Sequence, residues 1–508
     1  MSSIMREDWI ECTLGEVCEV NMGQSPPSST YNTDGIGLPF FQGKAEFTDL
    51  HPVVKKWCSV PKKIANKNDI LLSVRAPVGS TNIADQECSI GRGLAAITYK
   101  YGNMFIWYYL KSIEPKLDSQ GTGTTFKAIS GTILKSQIIE FPPLVEQKAI
   151  VKKIEELFSS LDSGIADLKK AQDQLVVYRQ AVLKKAFEGE LTKEWREGIV
   201  KTNSRSSQLP SAEELLEQIE IGRQNFFNKQ IEEWELELKK WKEKGEIGKK
   251  PKKPRPLTIP DAPNNGHNER KWVIPNNWVW SQIGSLCFVT KLAGFEYTDY
   301  VNYDENGDLP VLKAENAGTN GFKKTDFSRV KSESVKMLKR SQIFGGELLI
   351  VFVGAGTGNV AMVPFNQRYF LGPNIGMARP YFDLNSKYLE LFLQSAFGKS
   401  LMMSAVKAVA QPSLSMGTIR QAPIAFPSLE EQHQIVQEIE SRLSVCDKVE
   451  KDIADSLEKA KALRQSILKK AFEGTLLSED EIAECKADKD YEPASVLLER
   501  IKKEKRKK

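Results

Sequence analysis

One stretch of this sequence occurs twice, and this repetition constrains the fold more than any other feature. Residues 141–189 align with residues 426–474 at a constant offset of 285, without a gap, and 21 of the 49 positions are identical. Both copies begin F-P-x-L-x-E-Q and end R-Q-x-x-L-K-K-A-F-E-G. Because the motifs at both ends keep one register, the match indicates an internal duplication and not a shared composition.

The duplication extends beyond these two segments. Upstream, the pattern W-x5-G-x2-C occurs at Trp9 and again at Trp278, and NDILLSVRAPVGSTNIA, which ends at Ala84, resembles GELLIVFVGAGTGNVAM, which ends at Met362. Downstream, SAEELLEQI resembles PASVLLERI. Each half of the chain therefore predicts a globular domain, then a long helix, then a short helix.

Each copy of the repeat predicts a coiled-coil helix of about 43 residues, or about 60–65 Å. The first begins after Pro142 and Pro143, and Gly189 can cap its C-terminus. We expect the two helices to pack against each other and hold the domains a fixed distance apart; pairing of each helix with another protein is the alternative. The residues predicted to pack recur at heptad spacing and are Ile150, Ile154, Leu157, Leu161, Leu168, Leu175, Val182, Ile435, Ile439, Val449, Ile453, Leu463 and Ile467.

The globular parts have the pattern of mixed α/β domains. Short apolar runs such as ILLSV, LAAITY and LLIVFV predict strands, and turn sequences such as QSPPSST and GAGTG separate them. FIWYYLKSI and KYLELFLQSAF predict amphipathic helices. Between the halves, a charged helix precedes GKKPKKPRP, which predicts an extended linker, and the chain closes with the basic run KKEKRKK.

Composition excludes several classes of protein. The seven cysteines show no CxxC spacing and the three histidines are far apart, so a disulfide framework or a zinc site is disfavoured. No apolar run is long enough to span a bilayer, and the first residues lack the apolar core of a signal peptide, so we expect a cytoplasmic protein. The net charge of +5 permits nucleic-acid binding without requiring it.

Catalytic motifs are missing from the sequence. FVGAGTG contains an F-x-G-x-G core like the glycine loop that binds S-adenosylmethionine in DNA methyltransferases, but the matching stretch of the first half, SVRAPVGST, lacks it. The Asp/Asn-Pro-Pro-aromatic tetrapeptide that an adenine methyltransferase needs is also absent, as are a Walker A motif and a G-x-S-x-G elbow. A tight turn between two strands explains both copies of the loop.

Two variable α/β domains, each followed by a nearly identical long helix, resemble the specificity subunit of type I restriction–modification systems. The resemblance covers nearly the whole chain and rests on the order of the elements and on P-[PS]-L-x-E-Q and L-K-K-A-F-E-G. It implies two mixed α+β target recognition domains in a pseudo-twofold arrangement, separated by two antiparallel coiled-coil helices. The implied segments are 1–142 and 272–427 for the recognition domains, 143–190 and 428–475 for the spacer helices, 191–271 for a charged insert and linker, and 476–508 for a short helix and basic tail.

The resemblance also implies a function. Each recognition domain reads one half of a bipartite, asymmetric site in double-stranded DNA, and the helices set the gap and dock two methyltransferase subunits. The chain has no catalytic activity and binds no cofactor or metal. Partner subunits carry S-adenosylmethionine for adenine-N6 methylation, and a motor–nuclease subunit uses ATP and Mg. A methyltransferase with its own cofactor and a coiled-coil scaffold without a nucleic-acid role are the alternatives.

Base-contacting residues are expected in loops that follow strands, because such loops can present donors and acceptors to the major groove. A solvated or structural role is the competing interpretation for each of them, and Arg75 and Arg379 could pair with carboxylates inside their domains. The candidates are Gln42, Lys44, Arg75, Arg92 and Lys127 in the first domain, and Lys313, Asn316, Asn359, Arg368 and Arg379 in the second.

Overall fold

The computed structural model describes residues 6–123, 127–202, 211–248, 250–254, 256, 273–404 and 413–507. The chain forms two compact units. The first combines Met1–Ala171 with Asp452–Lys508, and the second is Gln172–Lys451. Each long helix therefore contributes one part of its length to each unit.

The first domain contains eleven strands within the described residues: β1 Ile10–Thr13, β2 Glu19–Met22, β3 Tyr31–Asn32, β4 Leu38–Phe41, β5 Trp57–Cys58, β6 Ile64–Ala65, β7 Ile70–Ser73, β8 Thr81–Ile83, β9 Cys88–Ile90, β10 Leu94–Thr98 and β11 Ile138–Phe141. One sheet has the order β2-β10-β7-β8, and a second has the order β3-β5-β4-β9-β6. Strands β1 and β11 pair separately. All four residues of β7 are buried, which is why ILLSV is a continuous apolar run.

Short helices cover these sheets. They are α1 Leu14–Val17, α2 Asn103–Ser112, α3 Glu114–Ser119 and α4 Gly131–Lys135, and α2 buries Phe105, Trp107 and Tyr109 in the core of the unit. The first long helix is α5 Leu144–Phe187, and α6 Lys193–Thr202 and α7 Ala212–Glu243 follow it. The charged helix expected in the insert is thus present as α7.

The second domain repeats the first. Its strands within the described residues are β12 Val279–Gln282, β13 Cys287–Lys291, β14 Leu309–Leu312, β15 Ala317–Gly318, β16 Gly321–Phe322, β17 Arg329–Val330, β18 Gln342–Ile343, β19 Leu348–Val351, β20 Val360–Met362, β21 Tyr369–Leu371, β22 Ile375–Pro380 and β23 Pro423–Phe426. The sheet β13-β22-β19-β20 matches β2-β10-β7-β8, and β17-β14-β21-β18 matches β5-β4-β9-β6. In both copies one pair is parallel, β4 with β9 and β14 with β21. The mixed α/β prediction is confirmed.

The remaining helices complete the second half. They are α8 Ile283–Leu286, α9 Gly294–Tyr300, α10 Ser386–Gln394, α11 Ala396–Met403, α12 Met416–Gln421, the second long helix α13 Leu429–Phe472, α14 Glu479–Ala487 and α15 Ala494–Arg506. Helices α5 and α13 each have 44 residues, so the two long helices predicted from the repeat are present.

The long helices pack antiparallel within each unit. In the first unit, Ile150 and Ile154 of α5 share a core with Ile467 and Ala471 of α13. In the second unit, late residues of α5 share a core with early residues of α13, namely Val182, Leu183, Ala186, Ile435 and Ile439. The early turns of one helix therefore lie beside the late turns of the other in both units.

The heptad spacing placed Ile435, Val449 and Leu463 on one packing stripe of α13; Ile435 is buried, but the prediction was wrong for Val449 and Leu463. Val449 and Leu463 are 39% and 50% exposed, whereas Cys446 and Ile453 are nearly buried. The second packing position lies four residues after the first, where Leu443 contacts the core. Residues three and four positions after each member of the first stripe both lie beside it on the helix surface. The heptad spacing alone therefore does not show which of the two positions packs against the other helix.

The predicted packing residues differ in depth. Ile150, Ile154, Val182, Ile435, Ile439, Ile453 and Ile467 are buried, and Leu157, Leu161, Leu168 and Leu175 are partly buried. In α5 the neighbouring stripe includes Phe158 and Ile165, which are also partly buried. All the predicted packing residues of α5 are thus at least partly buried.

The E-Q pair at the start of each long helix is buried and hydrogen-bonded. Glu146 accepts a bond from Trp9 Nε1 at 2.8 Å, and Gln147 accepts one from the Tyr99 hydroxyl at 2.9 Å. In the second copy, Glu431 accepts bonds from Thr192 Oγ1 at 2.8 Å and Asn277 Nδ2 at 2.8 Å, and from Arg196. The motif ties each long helix to its domain, because a buried carboxylate must be fully hydrogen-bonded.

The L-K-K-A-F-E-G sequence closes each long helix onto a domain. Gly189 and Gly474 adopt the left-handed backbone conformation, with φ of 76° and 71°, and so end the helices as C-caps. The phenylalanine of each motif packs on an aromatic residue of a domain helix. The ring centres of Phe187 and Phe392 of α10 are 5.1 Å apart, and those of Phe472 and Phe105 of α2 are 5.3 Å apart. The repeated helix end is thus a repeated docking contact.

The basic run near the C-terminus is also structural. Helix α15 buries Leu497 and Ile501, and Lys505 Nζ donates to the carbonyl oxygens of Gly15 at 2.9 Å and Cys18 at 2.7 Å. This run was expected to form a basic tail after the short helix, but its lysines take part in docking α15 onto α1. Lys508 and residues 257–272 of the expected linker lie outside the described residues.

Candidate nucleic-acid interface

The ends of three strands meet at one edge of the first domain. Gly91 N donates to Phe41 O at 2.8 Å, and Val74 N donates to Gly93 O at 2.9 Å. Gly93 has no room for a side chain, because the Gln42 carbonyl oxygen lies 2.2 Å from where a Cβ would be. These contacts bring the residues that follow β4 and β7 next to those that precede β10.

The loop that carries Lys127 joins the same edge. Ala76 N donates to Lys127 O at 2.9 Å, and Ile129 N donates to Val74 O at 3.0 Å. The first strand-end edge, as we name it, therefore contains all five residues proposed for this domain, and all five are exposed: Gln42, Lys44, Arg75, Arg92 and Lys127. Four of the five carry a positive charge. Lys127 also pairs with Asp118 at 3.4 Å.

Two lysines at this edge were missed from the sequence. Ile90 N donates to Lys63 O at 2.9 Å, which places Lys62 and Lys63 beside the end of β9. They precede β6, a strand of two residues that is too short to be recognised from its pattern. A basic pair just after Pro61 was the available signal.

The second domain forms a matching second strand-end edge from the same kind of bonds. Gly372 N donates to Leu312 O at 2.8 Å, as Gly91 does to Phe41, and Leu414 N donates to Phe352 O at 2.8 Å, as Ile129 does to Val74. Isolated antiparallel β-bridges also correspond: the backbone of Arg75 pairs with that of Ala128, and the backbone of Val353 pairs with that of Ser413. The backbone of the edge is thus common to both domains.

The side chains at this second edge differ from those at the first. Lys313 stands where the first domain has Gln42, and the exposed Asn374, with a φ of 64°, stands where it has Gly93. Lys291 lies over the Phe352 ring at 4.8 Å, and Arg340 pairs with Glu296 at 2.6 Å. Of these, only Lys313 was proposed from the sequence.

Two second-domain candidates are held inside the domain. Asn316 is buried and donates to Lys323 O at 3.0 Å and Thr325 Oγ1 at 2.9 Å. Arg379 pairs with the buried Glu347 at 3.1 Å, which is the internal ion pair that was its alternative interpretation. The polarity of these residues comes from structural roles, which a sequence does not distinguish from DNA contacts.

Of the other two candidates, Arg368 lies at the opposite end of β21, whereas Asn359 lies beside the end of β19, where Val351 N donates to Asn359 O at 2.9 Å. Arg368 precedes β21 and donates to Gln342 Oε1 at 3.2 Å, with its guanidinium over the Phe344 ring. Asn359 lies at the start of β20 and accepts a bond from Lys399 Nζ at 3.1 Å.

The glycine sequence FVGAGTG is a connection between β19 and β20. Gly354 and Gly358 have φ of 98° and 85°, and Gly358 N donates to Val351 O at 2.9 Å. The glycines are needed for these left-handed turn conformations. The turn between β7 and β8 occupies the same place in the first domain, in agreement with the interpretation of both stretches as turns.

The described part of the chain contains no helix both long and apolar enough to cross a membrane. Across the same residues, no group of three histidine, cysteine or carboxylate side chains is placed to hold a metal ion.

A family model described as the type I restriction modification DNA specificity domain matches residues 6–170 and 275–459. The chain belongs to this family. The two matched regions each contain one of the strand-end edges and part of one long helix. Membership confirms the resemblance on which the sequence prediction rested, and neither alternative, a methyltransferase or a scaffold, is favoured.

Curated relatives carry the same description. The Escherichia coli EcoBI specificity subunit of a type I restriction enzyme is 22% identical, over 98% of this chain and 93% of the relative. A putative type I restriction enzyme MjaX specificity subunit from Methanocaldococcus jannaschii is 42% identical, over 36% of this chain and 44% of the relative. The match thus spans less than half of the archaeal relative.

Solved structures include a crystal structure of the HsdS subunit from Thermoanaerobacter tengcongensis. It is 46% identical, over 37% of this chain and 47% of that chain, with a TM-score of 0.32. A type I restriction-modification system S subunit from M. genitalium is 14% identical, over 93% of this chain and 97% of that chain, with a TM-score of 0.31.

Proposed function

We propose that this chain supplies the DNA sequence specificity of a type I restriction–modification complex and catalyses no reaction itself. Each domain reads one half of a bipartite site in double-stranded DNA through its strand-end edge. The long helices set the gap between the halves and dock methyltransferase subunits. The chain acts in the cytoplasm, where its DNA and partner subunits are found.

One observation carries this proposal: two edges share one backbone arrangement and differ in their side chains. Backbone bonds such as Gly91 N to Phe41 O and Gly372 N to Leu312 O support equivalent surfaces. Gln42 can bond an adenine in two places, whereas the Lys313 ammonium at the equivalent position, which donates to Ser328 Oγ at 2.7 Å in the chain alone, suits guanine acceptors. The two edges have equivalent backbones but different base-contacting side chains. This difference favours two half-sites of different sequence, and therefore an asymmetric target.

Charge at the edges supports DNA as the ligand. Lys44, Arg75 and Arg92 are exposed at the first edge, and Lys291 is exposed at the second. Lysine and arginine side chains supply the phosphate contacts that position a protein on a duplex, while amide and hydrogen-bonding side chains read the bases.

The chemistry is assigned to partner subunits. Adenine-N6 methylation requires the base to leave the stack, so the recognition domains hold the duplex while two methyltransferase subunits act on it. S-adenosylmethionine binds to those subunits, and ATP and Mg bind to a motor–nuclease subunit. This chain binds none of the three.

Mapping methylated adenines in genomic DNA tests the proposal. We expect one split motif with a constant gap in cells that carry the gene, and loss of that motif on deletion. Gln42→Ala with Arg92→Ala is expected to relax only one half of the motif, and Lys313→Ala with Asn374→Ala only the other half. A methylation map that does not respond to deletion would refute the proposal.

Binding experiments separate the alternatives. Equilibrium dialysis of the purified chain against S-adenosylmethionine is expected to show no binding, whereas a methyltransferase would bind it. A coiled-coil scaffold would show no sequence-selective DNA binding even with partner subunits present.

A further inference from the structure

The insert between the two halves forms a folded basic arm. Helix α7 ends in a left-handed turn at Gly245 and Glu246, and Glu246 N donates back to Trp241 O at 3.0 Å. The chain then returns along the helix, because Trp241 Nε1 donates to Gly248 O at 3.2 Å and Trp234 Nε1 donates to Pro251 O at 3.1 Å. We call residues 239–248 and 250–254 the basic arm.

Two lysines of the returning segment hold it against the helix. Lys250 Nζ lies 5.9 Å from the centre of the Trp241 ring, and Lys253 Nζ lies 5.5 Å from that of Trp234. Cation–π contacts of this kind are weakly stabilising at exposed positions. The segment expected as an extended linker is thus seated on α7 over its described residues.

Helix α7 has a fixed path over the second domain. Gly222 allows close contact, since a Cβ there would lie 2.6 Å from the Tyr381 carbonyl oxygen. Further along, the Phe226 ring lies 5.0 Å from the Phe288 ring on β13, and Glu233 pairs with Lys339 at 3.1 Å. The helix therefore runs from α8 toward the loop that precedes β18.

That loop lies at the second strand-end edge. Gln342 pairs with Phe370 in antiparallel register, so Lys339 and Arg340 lie beside the end of β21, which leads into Gly372. The distances agree: seven helical residues from Phe226 to Glu233 advance about 10 Å, and three strand residues from Phe288 to Lys291 advance about 10 Å. Glu233 thus marks where α7 reaches the edge.

The basic arm continues past this point. The eleven residues from Glu233 to Lys244 advance α7 by about 16 Å beyond the edge. Within the described residues of the arm, seven lysines are exposed. Two exposed glutamates, Glu243 and Glu246, carry the opposite charge. The exposed lysines are Lys239, Lys240, Lys242, Lys244, Lys250, Lys252 and Lys253.

We propose that the basic arm binds the DNA phosphate backbone beside the half-site read by the second domain, without regard to sequence. This rests on the proposed function, because it is the bound duplex at the second edge that brings phosphates within reach of the arm. A dense set of lysines without amide readers fits phosphates and not bases. The arm would lengthen the interface with DNA on one side only.

The test is the salt dependence of DNA binding by the full-length chain purified with its methyltransferase subunits. Lys240, Lys242 and Lys244 are replaced together by glutamine in one variant and by arginine in a control that keeps the charge. The probe is a duplex that carries the target found by methylation mapping. The slope of log K against log salt is negative, and each phosphate that the arm no longer neutralises reduces its magnitude by about 0.9. The glutamine variant is therefore expected to reduce the magnitude of the slope by up to about 2.7. The arginine control is expected to keep the wild-type slope.

Trimming the duplex locates the arm on the DNA. Removing base pairs beyond the second half-site is expected to reduce wild-type affinity to that of the glutamine variant, and removing them beyond the first half-site is not. An unchanged slope in the glutamine variant would overturn the proposal, as would loss of subunit assembly in place of DNA affinity. Wild-type protein without sequence-selective binding would instead overturn the proposed function.

Discussion

Arg179 of α5 pairs with Asp447 of α13 at 2.6 Å in the second unit, and their duplicated counterparts, Arg464 and Asp162, pair in the first. The offset of 285 relates both the arginines and the aspartates. The duplication therefore places the same arginine–aspartate pair between the long helices in each unit. A shift of one heptad would displace each pair by about 10 Å, so the pairs specify the register of the two helices.

Reversing one of these pairs tests the role in register. Arg464→Asp puts a like charge opposite Asp162, and we expect it to lower the free energy of unfolding by about 1 kcal/mol, because the pair is partly exposed. Adding Asp162→Arg is expected to recover part of the loss, though not all, since Arg464 also lies 4.7 Å from the Phe158 ring. Urea unfolding of these two variants and of Asp162→Arg alone gives the coupling energy; additive losses would show that the pair contributes nothing.

The corrected stripe of α13 predicts different costs for two nearby truncations. Leu443→Ala is expected to reduce stability by about 1–2 kcal/mol, because Leu443 contacts the core of the second unit. Val449→Ala is expected to cost less than about 0.5 kcal/mol, since Val449 is exposed. Denaturation midpoints compare the two variants, and a larger cost for Val449 would restore the stripe inferred from the heptad spacing.

The buried carboxylate of the second E-Q motif predicts a large effect with an adjacent control. Glu431→Ala leaves Arg196 and Asn277 without their acceptor and is expected to cost about 3 kcal/mol. Glu430→Ala changes the exposed glutamate one position earlier and is expected to cost under about 0.5 kcal/mol. Thermal unfolding measures both; equal costs would mean that the helix start tolerates loss of the buried carboxylate.

Two arginines proposed from the sequence are expected to behave in opposite ways. Arg75→Ala should weaken DNA binding with unchanged stability, because its side chain is exposed at the first strand-end edge. Arg379→Ala should lower stability by about 2–3 kcal/mol, because Glu347 loses its charged partner. Melting and DNA titration are measured on each variant. Unchanged DNA affinity for Arg75→Ala would remove Arg75 from the interface.

Acid is expected to loosen α14 from the first unit. Hydrogen bonds from Lys153 and from the Ser478 backbone lower the pKa of Glu481 below 4.5, and bonds from Lys486 and Tyr491 lower the pKa of Asp8 below 3.8. A lowered folded pKa contributes stability that is present above the unfolded value and lost as pH falls through the folded value. Protection of the α14 amides from hydrogen exchange should therefore decrease below about pH 4.5.

Matched glutamine variants test the source of this pH dependence. Glu481→Gln is expected to flatten the acid response, whereas Glu479→Gln, at an exposed position of the same helix, should leave it unchanged. An acid response that persists in Glu481→Gln would assign it to other carboxylates.

The order of the amino acids was enough to establish the duplication, the two long helices and the family, because each rests on motifs and spacing along the chain. Gly189 as a helix end and the turn at FVGAGTG follow from local backbone preferences in the same way. Packing in three dimensions determines which polar residues face solvent: Arg75 and Arg379 look alike in sequence, but one lies at an edge and the other neutralises a buried glutamate. It also determines the helix stripe and the seating of the basic arm. The helix stripe and the position of the basic arm both depend on contacts between residues far apart in the chain. Periodicity does not predict such contacts, because it gives only the angle of a residue about the axis of its own helix.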